Sequence, residues 1–188
     1  LHALSPRIAS GAGVDTSAAM LALAGRRAAR VSNLELHQVH GPTLPFADDS
    51  FDVAVSLLSF RYLDWDPLMA ELGRVLAPGG RLLVVDMVAA PFDAKQIGAL
   101  IRGKTRQLTD RVVRRGYHRA RAALVTDPRW SEMLRYNPIR AVHEYRWYLE
   151  SRFPGRKVEV LDVGWHARVL AFDSGPFEDG HVIELSWP

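Results

Sequence analysis

The chain has 188 residues, of which 48% are hydrophobic and 24% charged, a composition typical of a folded domain with one sizeable core. It has no cysteine, which excludes disulfides, thiolate metal sites and a cysteine nucleophile, and its seven histidines form no zinc-binding pattern. The net charge of +3 is uneven, because nine Lys or Arg residues lie between Lys95 and Arg121 against the single Asp110.

The first 40 residues predict two strands and one helix. A short Gly-rich strand covers residues 8–14, and an alanine-rich helix follows and continues to about Arg30. Asp15, Thr16 and Ser17 open this helix, since all three side chains are favoured N-caps. The alternation of apolar and polar residues at 34–39 predicts the second strand.

Residues 51–58 and 82–85 are nearly continuous apolar runs, typical of strands covered on both faces by helices. Residues 67–76 between them have apolar side chains at helical spacing, and Ala77-Pro78-Gly79-Gly80 ends this helix with a turn. The succession of strand, helix, strand, helix and strand predicts an α/β fold with a doubly wound, mostly parallel sheet.

The second half of the chain has a different pattern. Residues 92 to about 153 are predicted to be helical, whereas the last 30 residues alternate like antiparallel strands, at 157–165, 167–173 and 181–187. We expect three parts: a partial nucleotide-binding core at 1–91, a helical insert or lid at 92–155 that shapes a ligand pocket, and antiparallel strands at 156–188 that complete the sheet.

Three segments of the core carry a resemblance to a known family. Residues 13–22 (GVDTSAAMLA) are similar to the pattern G-V-D-x-S-x-x-M-L, residues 44–53 (LPFADDSFDV) to L-P-F-x-D-x-S-F-D, and residues 71–82 (ELGRVLAPGGRL) to E-x-x-R-V-L-x-P-G-G-x-L. In this order and spacing the segments resemble class I S-adenosylmethionine-dependent methyltransferases, with their Rossmann-like core, and the methyltransferase type 11 domain among them. Beyond Phe92 the resemblance is only architectural.

The resemblance implies S-adenosylmethionine as the cofactor and no metal. A carboxylate at the tip of a strand can accept hydrogen bonds from both ribose hydroxyls, which assigns Asp15; a plain helix N-cap is the alternative. Family members commonly carry an Asp near the adenine at the position that His40 occupies here. The expected cofactor-binding residues are Asp15, Thr16, Met20, His40, Gly41, Ser56 and Leu57.

The family's first strand and its G-x-G-x-G loop have no counterpart in the sequence. Gly11-Ala12-Gly13 is a tempting substitute, but residues 13–15 already fit the next strand. The family's strand order of 3-2-1-4-5-7-6 places strand one in the centre, so strands two and four would be left with unpaired edges. We therefore expect an upstream βα unit of about 30 residues or more, or another chain, to supply this strand. Direct pairing of strands two and four would contradict this expectation.

Methyl transfer requires mainly in-line alignment and exclusion of water, which explains why no catalytic residue stands out. His118, His143 and His166 are candidate general bases by residue type, with a surface or packing role as the alternative. Aromatic side chains suit a flat or apolar acceptor, although at helical spacing they are as often core. The candidate acceptor-pocket residues are Tyr62, Trp130, Tyr145 and Tyr148.

The sequence thus predicts an S-adenosylmethionine-dependent methyltransferase with a small-molecule acceptor. The basic segment 102–121 raises the alternative of a nucleic-acid (RNA) methyltransferase, although a solvated helix face also explains such a run. A second alternative is a non-catalytic interaction protein with a methyltransferase fold. The lack of cysteine fits a reducing cytoplasm, where we expect the protein, and no apolar run is long enough to span a membrane.

Overall fold

A computed structural model describes residues 1–89, 126, 128, 132, 139–162 and 168–177. Three of the predicted site residues, His118, Trp130 and His166, lie outside the described residues, as do the basic segment 102–121 and the predicted strand at 181–187. No helix in the described part of the chain is long and apolar enough to cross a membrane.

The described strands form two sheets. In the smaller sheet β1 (Gly11–Asp15) pairs in parallel with β2 (Leu34–Gln38). The larger sheet has the order β3-β4-β6-β5. Its strands are β3 (Phe51–Leu57), β4 (Leu76–Val88), β5 (Glu159–Asp162) and β6 (Arg168–Pro176). Strands β3 and β4 are parallel, whereas β6 is antiparallel to both β4 and β5. The predicted α/β fold with an antiparallel C-terminal edge is confirmed.

Helices connect the parallel strands. Helix α1 (Ala18–Ala28) follows β1, and α2 (Trp65–Val75) precedes β4. Ser17 is the N-cap of α1, because its Oγ accepts a hydrogen bond from the Met20 N–H at 3.3 Å. Helix α3 (Val142–Tyr145) continues into a π-helical turn, Arg146–Glu150, and a 3₁₀ turn, Phe60–Tyr62, lies between β3 and α2.

The prediction of a turn at residues 77–80 was wrong, since this stretch lies inside β4. The pairing of β3 with β4 shifts there: Phe51 is opposite Leu76, whereas Val53 is opposite Arg81. Gly79 has a φ of +81°, and a Cβ on Gly80 would lie 2.8 Å from the carbonyl oxygen of Ala77. The two glycines therefore form a bulge within a strand, where their lack of a side chain allows the backbone to bend and approach itself.

The edges of β1 and β3 do not pair with each other, and among the described strands neither has a second neighbour. The direct pairing that would have contradicted the expected extra strand is therefore not observed. On β3 the side chains of Val53, Val55 and Leu57 are 47%, 52% and 64% exposed, although they belong to an apolar strand. Helix α1 has no buried residue. Within the described residues, apolar side chains on β3 are thus exposed and one edge each of β1 and β3 has no strand beside it.

The core lies on the other face of the larger sheet. Leu82 and Val84 of β4 are buried there against the aromatic side chain of Phe60. The Trp65 ring stacks on Phe60 with centroids 5.2 Å apart and contacts the Tyr148 ring at 4.7 Å. Helix α3 and the π-helical turn, at the end of the predicted insert, thus form part of the core of the sheet.

Candidate functional site

The candidate site lies at the carboxyl ends of the parallel strands, because ligands of open α/β sheets bind outside these ends. Asp15 is the last residue of β1, Gln38 the last of β2 and Leu57 the last of β3. We call residues 57–63, which lead from β3 toward α2, the exit segment.

Asp15 has one carboxylate oxygen engaged in local structure. Its Oδ1 accepts a hydrogen bond from the Ser17 N–H at 2.8 Å, and its backbone carbonyl accepts one from the Val39 N–H at 3.1 Å. Within the described part of the chain Oδ2 has no hydrogen-bond partner. The side chain thus supports the start of α1 and retains one anionic oxygen for a ligand, so the capping role and the ribose-binding role are compatible.

Gln38, the last residue of β2, forms a hydrogen bond to the segment that follows β1. Gln38 was not identified from the sequence as a residue of this site. Its Nε2 donates a hydrogen bond to the Thr16 carbonyl at 3.0 Å. Thr16, His40 and Gly41 are exposed here, and Met20 is 54% exposed on the first turn of α1. Four residues that the sequence analysis predicts to bind the cofactor thus lie on the surface near the ends of β1 and β2, and their role in binding stays a prediction.

The exit segment begins with a strained backbone. Leu58 has a φ of +59°, which is unfavourable for a residue with a branched side chain, and its N–H donates a hydrogen bond to the Val85 carbonyl at 2.7 Å. The preceding Ser56 has a buried Oγ with no partner among the described residues. Strained backbone and unsatisfied buried polar atoms concentrate at ligand sites, and both occur at the end of β3, next to the expected cofactor-binding residue Leu57.

A buried ion pair holds the exit segment against β4. The Arg61 N–H and Nη1 donate to the two carboxylate oxygens of Asp86 at 2.8 Å and 2.5 Å, and both side chains are almost wholly buried. Sequence reasoning missed this pair. The available signal was a carboxylate that closes the apolar run of β4 and an arginine between Phe60 and Tyr62.

The two side chains that donate to the Asp86 carboxylate, Arg61 and Tyr145, both keep their protons: Arg61 stays charged and Tyr145 stays neutral. Burial of Arg61 opposes its charge, but its bond to Tyr62 and the attraction of Asp86 outweigh burial, and its pKa is raised. Burial together with the negative charge of Asp86 raises the pKa of Tyr145 far above its usual range. The Tyr145 hydroxyl therefore remains a donor, and it donates to Asp86 Oδ2 at 3.1 Å.

The structure corrects the expected role of two tyrosines. Tyr145 and Tyr148 are only 0% and 3% exposed, and they pack in the core rather than line an open acceptor pocket. Their hydroxyls donate to Asp86 and to Asp66. Tyr62 is 39% exposed in the exit segment, consistent with the pocket position expected for it. His143 is exposed on α3 and has no described contact with the exit segment.

The described residues contain no cluster of three or more His, Asp or Glu side chains that could hold a metal ion. Among the described residues, the polar groups at the carboxyl ends include the Asp15 carboxylate, the Gln38 amide and backbone atoms. These groups suit the hydroxyls and ring nitrogens of a nucleoside.

Residues 1–84 match the family model of a methyltransferase domain. Over 84 residues the chain is 39% identical to demethylmenaquinone methyltransferase from Thermus thermophilus, a match that covers 44% of this chain and 38% of that protein. The chain thus spans well under half the length of this curated relative.

Two solved structures have a similar fold at low sequence identity. A SAM-dependent methyltransferase from Aquifex aeolicus matches with a TM-score of 0.55 and 17% identity, covering 91% of this chain and 73% of that chain. Geranyl diphosphate C-methyltransferase from Streptomyces coelicolor A3(2) matches with a TM-score of 0.57 and 13% identity, covering 93% and 66%. Both similarities concern the fold.

Proposed function

We propose that the chain, whose residues 1–84 belong to the methyltransferase domain family and whose fold is that of the class I S-adenosylmethionine-dependent enzymes, transfers a methyl group to a small apolar acceptor. The observation that carries this proposal is the position of Asp15. It ends β1 inside the matched segment, and its Oδ2 has no hydrogen-bond partner in the described part of the chain. A ribose hydroxyl pair is the ligand group that such a carboxylate oxygen recognises best.

The residues present fit an S-adenosyl nucleoside. Asp15 would hold the ribose, the exposed pair His40 and Gly41 would contact the adenine, and Met20 would cover the adenosine from α1. The Ser56 Oγ, which has no hydrogen-bond partner among the described residues, and the strained Leu58 support a polar, ligand-dependent environment at the end of β3. The bound cofactor would supply a methyl group on a positively charged sulfur.

The chemistry asked of the protein is chiefly alignment. An acceptor must approach the methyl group in line with the sulfur, and water must be excluded from the gap. The exit segment is suited to this task, because the ion pair and backbone hydrogen bonds fix it to β4 while it presents apolar side chains outward. No general base is required for an acceptor that is already nucleophilic, and His143 is not needed in this proposal.

The exposed side chains of the exit segment support an apolar acceptor. Leu58, Tyr62 and Leu63 are 41%, 39% and 36% exposed. Contiguous exposed apolar residues are uncommon on a protein surface and mark binding sites. The names of the relatives agree with this class, since demethylmenaquinone and geranyl diphosphate are both small molecules with large apolar parts. Within the described residues nothing favours the nucleic-acid alternative.

Calorimetric titration of the full-length protein with S-adenosylhomocysteine tests the cofactor site. We expect saturable binding of one equivalent, and a heat signal no larger than dilution would remove the enzyme hypothesis and favour the interaction-protein alternative.

A methyl-label assay with radioactive S-adenosylmethionine tests the acceptor class. The acceptors are demethylmenaquinol, geranyl diphosphate and a mixed RNA pool. The geranyl diphosphate reaction is treated with acid before extraction, because its product enters organic solvent only after the diphosphate is hydrolysed. Label that partitions into organic solvent supports the apolar acceptor, whereas label that precipitates with RNA contradicts it.

A further inference from the structure

The carboxylate of Asp86 accepts hydrogen bonds from three different parts of the fold. It is 0% exposed and accepts hydrogen bonds from the Arg61 N–H, from Arg61 Nη1, from the Met87 N–H at 2.7 Å and from the Tyr145 hydroxyl. Arg61 belongs to the exit segment, Met87 to β4 and Tyr145 to α3. One charged group thus fixes the exit segment, the strand and the C-terminal helix relative to each other.

The stability of the folded state does not by itself explain the buried ion pair between Arg61 and Asp86. Removing two charges from water costs about as much as their attraction returns, and apolar residues of similar volume often serve equally well. The hydrogen bonds of this pair do, however, fix geometry, because each donor must meet a specific lone pair. Within the described residues, the buried Nε of Arg61 is the one polar side-chain atom of the pair that has no partner. The arrangement also balances charge, since the buried guanidinium of Arg61, a residue of the exit segment, is paired with the buried carboxylate of Asp86.

We propose that Asp86 is a positioning residue for methyl transfer, which holds Arg61 and the exit segment in place and neutralises a buried guanidinium that would otherwise repel the sulfonium of the methyl donor. The inference rests on the proposed function, in which the exit segment helps to align the acceptor with the methyl group on the sulfur. Asp86 itself is fully buried, so it acts through Arg61 and the backbone rather than by touching the ligands.

The charge balance has a measurable consequence. S-adenosylmethionine and S-adenosylhomocysteine differ at the sulfur, which carries a methyl group and a positive charge only in the former. At a separation of about 10 Å and an effective dielectric constant of about 20 to 40, one unbalanced positive charge weakens the binding of a cation roughly four- to sixteenfold. The neutral thioether would not sense this charge.

The test compares the Kd of the two ligands by calorimetry in the full-length protein. In Asp86→Asn the side chain keeps its shape and loses its charge, so we expect the ratio of the S-adenosylmethionine Kd to the S-adenosylhomocysteine Kd to rise at least about fourfold. In the double variant Arg61→Met/Asp86→Asn the site is neutral again, and the asparagine oxygen can still accept from the N–H of residue 61. We expect the ratio to return to within about twofold of the parental value.

Asp173→Asn is the matched control. It removes the carboxylate of an exposed ion pair between Asp173 and Arg81 on the same sheet, and the ratio should not change. A purely structural role for Asp86 would weaken both ligands together, so an unchanged ratio in Asp86→Asn would overturn the inference. Binding of neither ligand to the parental protein would instead remove the proposed function, and this inference with it.

A second variant keeps the test decisive if Asp86→Asn does not fold. Arg61→Met leaves a buried carboxylate that still accepts from two N–H groups and from Tyr145. We expect the ratio of Kd values to fall below that of the parent at pH 8, because an anion attracts the sulfonium. A ratio that rises in Arg61→Met would contradict the proposed charge balance.

Discussion

Arg74 and Glu71, one turn apart on α2, form an ion pair through two parallel hydrogen bonds. Arg74 Nε donates to Glu71 Oε1 at 3.0 Å, and Nη2 donates to Oε2 at 2.8 Å. The same guanidinium donates to the carbonyls of Phe46 and Leu44, and Glu71 accepts from the Leu44 N–H at 2.8 Å. The E-x-x-R pair therefore clamps the L-P-F loop, which explains physically why these two sequence patterns occur together.

The first prediction concerns this clamp. In Arg74→Lys the charge remains, but a lysine cannot reproduce the planar fork that reaches the carbonyls of Phe46 and Leu44. We expect a lower Tm and faster hydrogen exchange at the Leu44 amide. The control is Arg81→Lys. Arg81 lies on β4 and forms an exposed ion pair with Asp173 on β6, so this substitution should leave both the Tm and the hydrogen exchange at Leu44 close to those of the parent. Equal effects of the two substitutions would show that the clamp does not hold the loop.

The second prediction concerns acid stability. The hydrogen bond from Arg74, and then that from the Leu44 N–H, lower the pKa of Glu71 from 4.5 to about 2. A carboxyl group with a lowered pKa in the folded state stabilises the fold above pH 4.5, and this contribution is lost as the pH falls toward 2. We expect the difference in urea midpoint between the parent and Glu71→Gln to be constant above pH 5 and to shrink between pH 4.5 and pH 2.5. A constant difference over this whole range would contradict the lowered pKa.

The third prediction concerns the cofactor site. Asp15→Asn keeps an oxygen for the Ser17 N–H but loses the charge, so the Tm should change little. The Kd for S-adenosylhomocysteine should rise about tenfold or more, because hydrogen bonds to a charged acceptor are worth about 1.5–3 kcal/mol. Glu35→Gln, at an exposed carboxylate on β2, is the control and should bind as the parent does. Calorimetry measures both, and parental affinity in Asp15→Asn would contradict the assigned role.

The fourth prediction concerns the uncovered side of β3. In the 188-residue chain Leu57→Ala should cost less than about 1 kcal/mol, because Leu57 is 64% exposed, whereas Leu82→Ala should cost about 2–5 kcal/mol at a residue only 1% exposed. In a polypeptide that supplies a strand and helix next to β3, the cost of Leu57→Ala should rise into the same range. Urea unfolding measures these free energies. A cost that stays below about 1 kcal/mol in the longer polypeptide would argue against the expected extra strand.

The fifth prediction separates two buried tyrosines. Tyr145→Phe removes the donor to a fully buried carboxylate, Asp86, and should cost about 1.5–3 kcal/mol of unfolding free energy. Tyr148→Phe removes the donor to Asp66, whose side chain is 73% exposed and can bind water instead, so its cost should be below about 1 kcal/mol. Chemical denaturation measures both. A larger loss of unfolding free energy in Tyr148→Phe than in Tyr145→Phe would contradict this prediction. It would mean that the buried Asp86 carboxylate loses less on removal of one hydrogen-bond donor than its burial implies.

The sequence by itself determined the order of strands and helices in the first 88 residues, the antiparallel C-terminal edge and the position of Asp15 at the end of β1. These features depend on side chains that are close along the chain: apolar runs, N-cap residues and a short pattern around each strand end. That β1 and β3 do not pair with each other among the described strands also followed from the sequence, because the resemblance implies a strand order in which another strand lies between them.

Only the tertiary structure decided the contacts between distant residues. Arg61 and Asp86 are 25 residues apart in sequence, and Asp86 and Tyr145 are 59 apart. No local pattern specifies these pairs, since an isolated arginine, aspartate or tyrosine has the same sequence signature on a surface as in a core. The bulge at Gly79 likewise depends on the strand that pairs with it. Packing buries the Arg61, Asp86 and Tyr145 side chains and removes water as a competing hydrogen-bond partner. These polar groups therefore form hydrogen bonds with each other.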